Sequence, residues 1–540
     1  MSLSLATAVA PIAGAQVLPP GFRDSVVFSG LTQPTAIAFS PDGRVFVAEK
    51  GGRIKVFASL TATTPTLFAD LSTKVYNYWD RGLLGLALDP GFPGKPYVYV
   101  LYAYDGDVGG AAPKWGTAAV LSDPCPTPPG ATGDGCTVTG RLSRLTASGS
   151  VMTGSELVLL HDWFQQYPSH SIGSVLFGSD GALYVSGGDG ASFNWADYGQ
   201  DGNPLNPGGD PPSGVGGTQT PPTAEGGALR SQDLRSTGDP VGLAGTLIRI
   251  DPATGAGFAG NPLSGSADPN ARRILAVGLR NPFRMTTRPG TSEIWIGDVG
   301  WTTWEEINRV RNVSTVWNFG WPCSEGAGRQ SSYDSLNLNL CEDLYAQSGS
   351  VTPPVLAYNH AAKVVANESC TTGSSSVSGL AFYSASSYPV AYRGALFFSD
   401  YSRRCIWAML PGAGGDPDPA KVLTFVAGAG PPAQLTAGPG GDLFYVDLGG
   451  KIHRIQYLTP TAVLAASPTS GKAPLAVSFD ATGSTHPSLG EPLTYSWDLN
   501  GDGAFGDSTE ARPTFTYASK GTYNPALRVT DYNCGFDTAK

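Results

Sequence analysis

His170 and Asp189 are the pair of residues in this chain best spaced for proton chemistry. His170 opens the run His170-Ser-Ile-Gly-Ser-Val-Leu-Phe-Gly-Ser-Asp-Gly-Ala-Leu-Tyr-Val-Ser-Gly-Gly-Asp189-Gly. Two apolar runs flank a Ser-Asp-Gly turn, so the segment reads as a hairpin whose ends meet. The hairpin brings the Asp189 carboxylate beside the imidazole. A carboxylate on one ring nitrogen fixes the tautomer and raises the basicity of the other, which is how a general base is built. The rival reading is a histidine that merely caps a hairpin.

Two other segments carry candidate binding groups. Gly278-Leu-Arg-Asn-Pro-Phe283 places Arg280 and Asn281 at another strand entry. A planar guanidinium there can grip a carboxylate through two hydrogen bonds, unless it is an ordinary surface arginine. Gly297-Asp-Val-Gly-Trp301 and Glu305-Glu-Ile-Asn308 follow. A turn rich in carbonyls and acids suits a hard cation such as calcium. Near the C-terminus, Asp498, Asn500 and Asp502 stand at alternate positions of Asp498-Leu-Asn-Gly-Asp-Gly503. They reproduce the first half of a calcium loop, with Thr509 where the closing glutamate would stand and Glu510 beside it. The alternative is an Asx-rich hairpin turn.

The elements that must position these residues are strands. The same strand–turn–strand unit recurs in Pro34–Glu49, Gly82–Tyr102, Asn281–Asp298, Ser378–Asp400 and Gln434–Asp447. One such unit cannot bury both faces, and radial stacking of about six of them predicts a six-bladed β-propeller. Two insertions interrupt it: the loop between Cys125 and Cys136, and a Gly/Pro-rich stretch from Tyr198 to Asp239 expected on the surface. Composition changes near Leu458. The expected division is residues 1–15 as a trimmed signal peptide ending in Ala13-Gly-Ala15, 16–458 as the propeller, and 459–540 as a small β-sandwich.

Composition narrows the function. A net charge of −10 with no basic stripe argues against nucleic acid. No segment is long and apolar enough to span a membrane. Seven cysteines without a Cys-x-x-Cys pair weaken zinc and thiol-redox readings. Cys125 and Cys136 flank a Pro/Gly-rich loop and are a candidate local disulfide, Cys323 with Cys341 and Cys370 with Cys405 are the next candidates, Cys534 is left over, and sequence alone does not fix the connectivity. Disulfides and a signal remnant favour a secreted or periplasmic protein.

Four motifs in order, Arg81-Gly-Leu-Leu-Gly-Leu-Ala-Leu-Asp-Pro90, the His170–Asp189 hairpin, Leu279-Arg-Asn-Pro282 and Gly300 through Asn308, carry a resemblance to the soluble PQQ-dependent glucose/sorbosone dehydrogenases. The resemblance runs from about residue 30 to 455. It implies a six-bladed propeller that oxidises an aldose sugar and passes electrons to an external acceptor. It makes His170 the base supported by Asp189, sets Arg280 and Asn281 against PQQ, and gives the Gly300 and Trp301 carbonyls to calcium. Asn194 and Trp195 fall where substrate contacts lie. The chain also departs from the family. In place of a fifth-blade lysine it reads Asp400-Tyr-Ser-Arg-Arg404, which passes that role to Arg403 or Arg404. In place of two sixth-blade arginines it reads Gly430-Pro-Pro-Ala-Gln434, with no cation. Trp301 stands where better-known members have proline. Tyr495-Ser-Trp-Asp498 and Gly521-Thr-Tyr…Val529-Thr-Asp531 resemble the PKD domain, an immunoglobulin-like module that implies glycan or cell-surface contact. The alternatives are a non-catalytic propeller that binds a glycan or protein, and a calcium-dependent lactonase-like hydrolase.

Overall fold

The computed structural model describes residues 16–117, 122–203, 205–206, 220–236, 238–487, 492–532 and 535–540. The signal-peptide segment 1–15, Cys534 and part of the 198–239 insertion lie outside them.

Six antiparallel sheets follow one another along the chain. Blade one is Pro34–Phe39, Val45–Glu49, Arg53–Phe57 and Thr66–Asp70. Blade two is Leu83–Leu88, Tyr97–Tyr104, Val138–Ser148 and Val151–Gln165. Blade three is Ile172–Phe177, Leu183–Gly187, Thr246–Ile250 and Ile274–Val277, with Trp317–Asn318 added in parallel. Blade four is Arg284–Thr287, Ile294–Asp298, Trp304–Val310 and Leu356–Asn359. Blade five is Val377–Phe382, Leu396–Asp400, Cys405–Pro411 and Pro417–Ala427. Blade six is Pro432–Ala437, Leu443–Asp447 and Lys451–Tyr457, and its outer strand is Phe22–Phe28 from the start of the chain. This last pairing closes the ring.

Each blade is two-faced because its strands alternate, and each face is buried against a neighbour. Phe46 and Phe68 of blade one meet Val98 and Tyr102 of blade two. Leu101 and Trp163 meet Ile172 and Val185. Tyr184 and Leu247 meet Ile294 and Ile296. Trp295 and Ile307 meet Leu380 and Trp407. Phe397 and Phe425 meet Leu443 and Tyr445. Phe444 and Val446 return to Val45 and Val47 of blade one. Six blades thus have six apolar interfaces, and the first strand of every blade lines the axis beside its neighbours. Truncating a fully buried Trp163 should cost roughly 3–5 kcal/mol.

The described part of the 198–239 insertion is not a surface loop throughout. Gly227–Arg235 forms a 3-10 helix, buried from Gly227 to Asp233. It packs with Trp321, Tyr333 and Leu344 of a helical insertion that leaves blade four, which the strand pattern does not announce. Three disulfides join Cys125 to Cys136, Cys323 to Cys341 and Cys370 to Cys405, so the pairing that the sequence left open is the one between near neighbours in the chain.

After blade six, two three-stranded sheets enclose Phe479, Trp497, Leu527 and Val529, making the expected sandwich. The Tyr457 hydroxyl at the end of blade six donates to Asp531 at 2.9 Å. The carboxylate of Asp498 accepts the backbone N–H of Gly501, Asp502 and Gly503 at 2.7, 3.2 and 2.9 Å. Asn500 Oδ1 and Asp502 Oδ1 accept the N–H of Asp502 and Ala504. These Asx-turn bonds shape the loop that carries Asp498, Asn500 and Asp502, the residues expected to hold calcium.

Candidate active site

The strand entries that carry the sequence motifs converge at one end of the axis. Gly188 explains how. A Cβ there would lie 2.3 Å from the carbonyl oxygen of His170 and 2.8 Å from that of Arg280, so only glycine lets three backbones meet. Asp189 N–H then donates to Arg280 O at 2.9 Å and Gly190 N–H to His170 O at 3.1 Å.

His170 sits at φ +50°, a left-handed conformation that costs an L-residue about 1–2 kcal/mol. Such strain gathers at functional sites, where surrounding contacts hold it. Here Asp80 holds it, accepting the His170 N–H at 3.0 Å. The ring Nδ1 lies 2.8 Å from Asp189 Oδ1, and both side chains are buried. Asp189 Oδ1 also accepts Ala191 N–H at 2.9 Å, and Oδ2 accepts Trp321 Nε1–H at 2.7 Å. Because the carboxylate can only accept, Nδ1 carries the proton, and Nε2 is the basic nitrogen for the cavity that His170 lines. Burial first, then the Arg280 charge, lowers the His170 pKa, against the opposing pull of Asp189. Burial raises the Asp189 carboxyl, but His170 and Arg280 outweigh it and bring it below its ordinary value. The resting pair is a neutral imidazole against a carboxylate.

Arg280 and Asn281 are fixed by Asp298, whose two oxygens accept their backbone N–H groups at 3.0 and 2.6 Å. The Arg280 guanidinium lies 5.4 Å from the Trp321 ring and donates through Nη1 to Val299 O at 3.0 Å and Gly300 O at 2.6 Å. Its Nε is buried with no partner.

These groups line a cavity of about 720 Å³. Its lining includes His170, Asp80, Lys50, Arg280 and Asn281, the hydroxyl-bearing Ser375, Ser376, Ser378 and Thr302, and the aromatic Trp79, Phe193, Trp301 and Tyr401. Trp79, Phe193 and Tyr401 are exposed toward the mouth. An aromatic collar above convergent polar groups and a buried base suits a small polyhydroxylated substrate.

The family model for glucose/sorbosone dehydrogenases matches residues 31–205 and 227–416, more than half of the chain. The chain belongs to this family. A PKD domain model matches residues 458–540. Among curated relatives, the HIPL2 protein of Arabidopsis thaliana is 25% identical over 445 residues, 74% of this chain and 56% of the relative. The chain spans about half the length of the curated relatives it matches. An oxidoreductase described as a glucose dehydrogenase from Thermus thermophilus shares the fold at TM-score 0.53 and 22% identity, over 81% of this chain and 100% of that one. The PQQ-bound aldose sugar dehydrogenase of Streptomyces coelicolor does so at TM-score 0.53 and 17% identity, over 82% and 99%.

Several residues singled out from the sequence lie elsewhere than the cavity wall. Arg403 does not face the cavity. Its guanidinium is buried and donates to Ser375 Oγ and to the carbonyls of Ala362, Asn359 and His360, each at 2.8 Å except the last at 3.2 Å. Arg404 is exposed and Asn194 is exposed beside Ser192, and neither is a wall residue. Trp195 packs edge-on to Tyr167 away from the wall, and Phe193 takes the cavity position. The Gly300 carbonyl expected to bind calcium already accepts Arg280, and Trp301 N–H donates to Glu325 at 2.8 Å. Among the described residues no three acids, histidines or cysteines gather to hold a metal. Gly300 and Trp301 both line the cavity. Lys50, Asp80, Trp79, Tyr401 and Trp321 belong to the site and carry no sequence motif of their own. A hint for Trp321 is the Trp317-Asn-Phe-Gly-Trp-Pro-Cys323 cluster, whose aromatic density is unusual for a surface loop.

Proposed function

We propose that this chain oxidises the anomeric carbon of an aldose to the lactone, with His170 as general base and PQQ as hydride acceptor. The observation that carries the reading is the buried His170–Asp189 pair opening its free nitrogen onto a cavity with two cations, Arg280 and Lys50. The unpartnered buried Nε of Arg280 supports an anionic ligand there. Arg280, Asn281, Thr302 and Ser376 would hold PQQ. When bound, it supplies an electron-poor quinone ring that accepts a hydride.

His170 Nε2 takes the anomeric hydroxyl proton, and Asp189 stabilises the imidazolium that forms. Trp321 fixes Asp189, so the imidazole keeps one tautomer and one direction. The rings of Trp79, Phe193 and Tyr401 cover the apolar face of a sugar and displace water from the base. Asn194 and Trp195 have no part in this reading. The Gly300 and Trp301 carbonyls, both on the cavity lining, would hold calcium, which would polarise the quinone. Family membership and the PQQ-bound Streptomyces relative support the same chemistry. The lactonase-like alternative needs several carboxylates facing the axis, and Asp80 is the single acid of the described wall. The three disulfides favour an exported protein, and the PKD domain serves as an accessory module in contact with glycan or cell surface.

Reconstitution tests the proposal. Purified protein with added PQQ should reduce a dye with at least one of a panel of aldoses, and His170→Ala should lose turnover while still binding PQQ. Absence of PQQ binding at saturation would sink the reading, and turnover surviving in His170→Ala would remove the assigned base.

A further inference from the structure

We propose that Lys50 is the second cation of the cofactor cradle, gripping a carboxylate of PQQ from the first blade in place of the cations this chain lacks on blades five and six. The inference rests on the dehydrogenase reading above.

A tricarboxylate needs more than one positive partner. Arg403 is enclosed by the 359–362 loop, Arg404 is outside the wall, and 430–434 contains no cation. Among the described wall residues Lys50 is the only cation besides Arg280.

The structure holds Lys50 as a positioned group. It follows directly on the second strand of blade one, Val45–Glu49. Its N–H donates to Gln33 O at 2.9 Å, and its carbonyl accepts Leu83 N–H at 2.8 Å, which ties blade one to the inner strand of blade two. Gly82, at φ +152°, makes room for the stem: a Cβ there would stand 2.6 Å from Lys50 Cγ and 2.7 Å from its carbonyl oxygen. The Nζ donates to Asn77 Oδ1 at 2.5 Å, and Asn77 is buried. That uses one of three ammonium protons, leaving donors for the cavity. Asp80, which fixes His170, is the acid whose charge acts on the ammonium. Burial outweighs it and brings the amine down to about 8, the behaviour of an ammonium short of anionic partners. A ligand carboxylate would supply one.

PQQ titration followed by quenching of tryptophan fluorescence tests this without turnover, since Trp79 and Trp301 line the cavity. Lys50→Met should weaken PQQ binding about tenfold or more, the size of one charge-assisted hydrogen bond. Lys50→Arg should recover most of the affinity. Wild type should prefer PQQ over its trimethyl ester, and Lys50→Met should lose much of that preference. The double variant Lys50→Met/Asp80→Asn should remain weak, which separates a lost ligand contact from an unbalanced acid. Equal PQQ affinity of wild type and Lys50→Met overturns the assignment and leaves the dehydrogenase reading standing. A Lys50→Met enzyme that binds PQQ normally but loses activity on glucuronate and keeps it on glucose overturns it in favour of a substrate carboxylate. Failure of wild type to bind PQQ overturns both.

Discussion

At the residue scale, what separates His170 from an ordinary hairpin histidine is the division of labour between two acids. Asp80 takes its backbone N–H and Asp189 takes its ring. One fixes the strained backbone and the other fixes the tautomer, so both degrees of freedom of the base are set before substrate arrives. The pH dependence follows. The base must be neutral to work, and burial with Arg280 holds its pKa below the ordinary 6.5. In the reconstituted enzyme, kcat/KM should stay level as pH falls past 6.5 and decline only at lower pH. In Asp189→Asn the group that raises the imidazole pKa is gone, so the acid limb should move lower still. Its kcat should fall by about 10²–10⁴, because the ring loses its orientation. An acid limb at or above 6.5 would contradict the assignment. Arg403 teaches the converse. As a residue type it matched a missing cofactor cation, yet its guanidinium is taken up by the Ser375 hydroxyl and three backbone carbonyls, and carbonyl partners leave no mark in residue identity.

At the element scale, the second strand ends in an acid in four of the six blades, at Glu49, Asp298, Asp400 and Asp447. In blades one, four and five that acid caps the amide entering the same blade's inner strand: Glu49 takes Thr32 N–H, Asp298 takes Arg280 and Asn281, and Asp400 takes Ser376. Blade three departs from this. Asp80, from the neighbouring strand entry, caps His170, which frees Asp189 for the imidazole. Asp189 is thus a capping position turned to the support of the candidate base. Strands, turns and the His170 hairpin were legible in the sequence because period-two alternation and turn residues are local signals. Trp321 and the pairing of Lys50 with Asn77 were not, because they depend on which blades become neighbours. The third strand of blade four adds a pH signature. Glu306 is enclosed with Asn308 and Gly326, and burial followed by the Asp298 charge pushes it up to about 8. Between about 4.5, its ordinary value, and 8 the unfolded chain releases a proton that the folded one keeps, so stability falls as pH rises through that window. Wild-type Tm should drop from about pH 5 to about pH 8, and Glu306→Gln should flatten the slope by roughly a few kcal/mol. An unchanged slope would mean Glu306 is ionised in the folded protein.

At the scale of the whole molecule, a ring of six sheets must be closed twice. Around the rim, Phe22–Phe28 pairs with Lys451–Tyr457, so the chain's beginning completes its last blade. On the axis, Arg284 is the fastening. From the inner strand of blade four its fully buried guanidinium donates to Ala433 O of blade six at 3.0 Å, to Thr35 O of blade one at 2.9 Å, to Gly173 O of blade three at 3.3 Å and to Phe283 O at 2.9 Å. One side chain therefore satisfies carbonyls from three other blades, below the cavity whose wall includes Thr35, Phe283 and Ala433. Its pKa falls to about 9 through burial alone, with no carboxylate to balance it. Such a cation makes sense as a hub of hydrogen bonds: each carbonyl left without a donor in the dry axis costs about 1–3 kcal/mol. Arg284→Met keeps the stem and removes every donor, so it should lower stability by at least about 3 kcal/mol and depress Tm by several degrees. Arg53→Met, which breaks an exposed pair with Asp70 on blade one, should cost no more than about 1 kcal/mol. Thermal unfolding of the two variants beside wild type makes the comparison. Equal losses would show that the axis tolerates water in place of the guanidinium. A far larger loss for Arg284→Met, with weaker PQQ binding at temperatures where the protein is still folded, would show that the same residue holds the ring shut and the cavity floor in place.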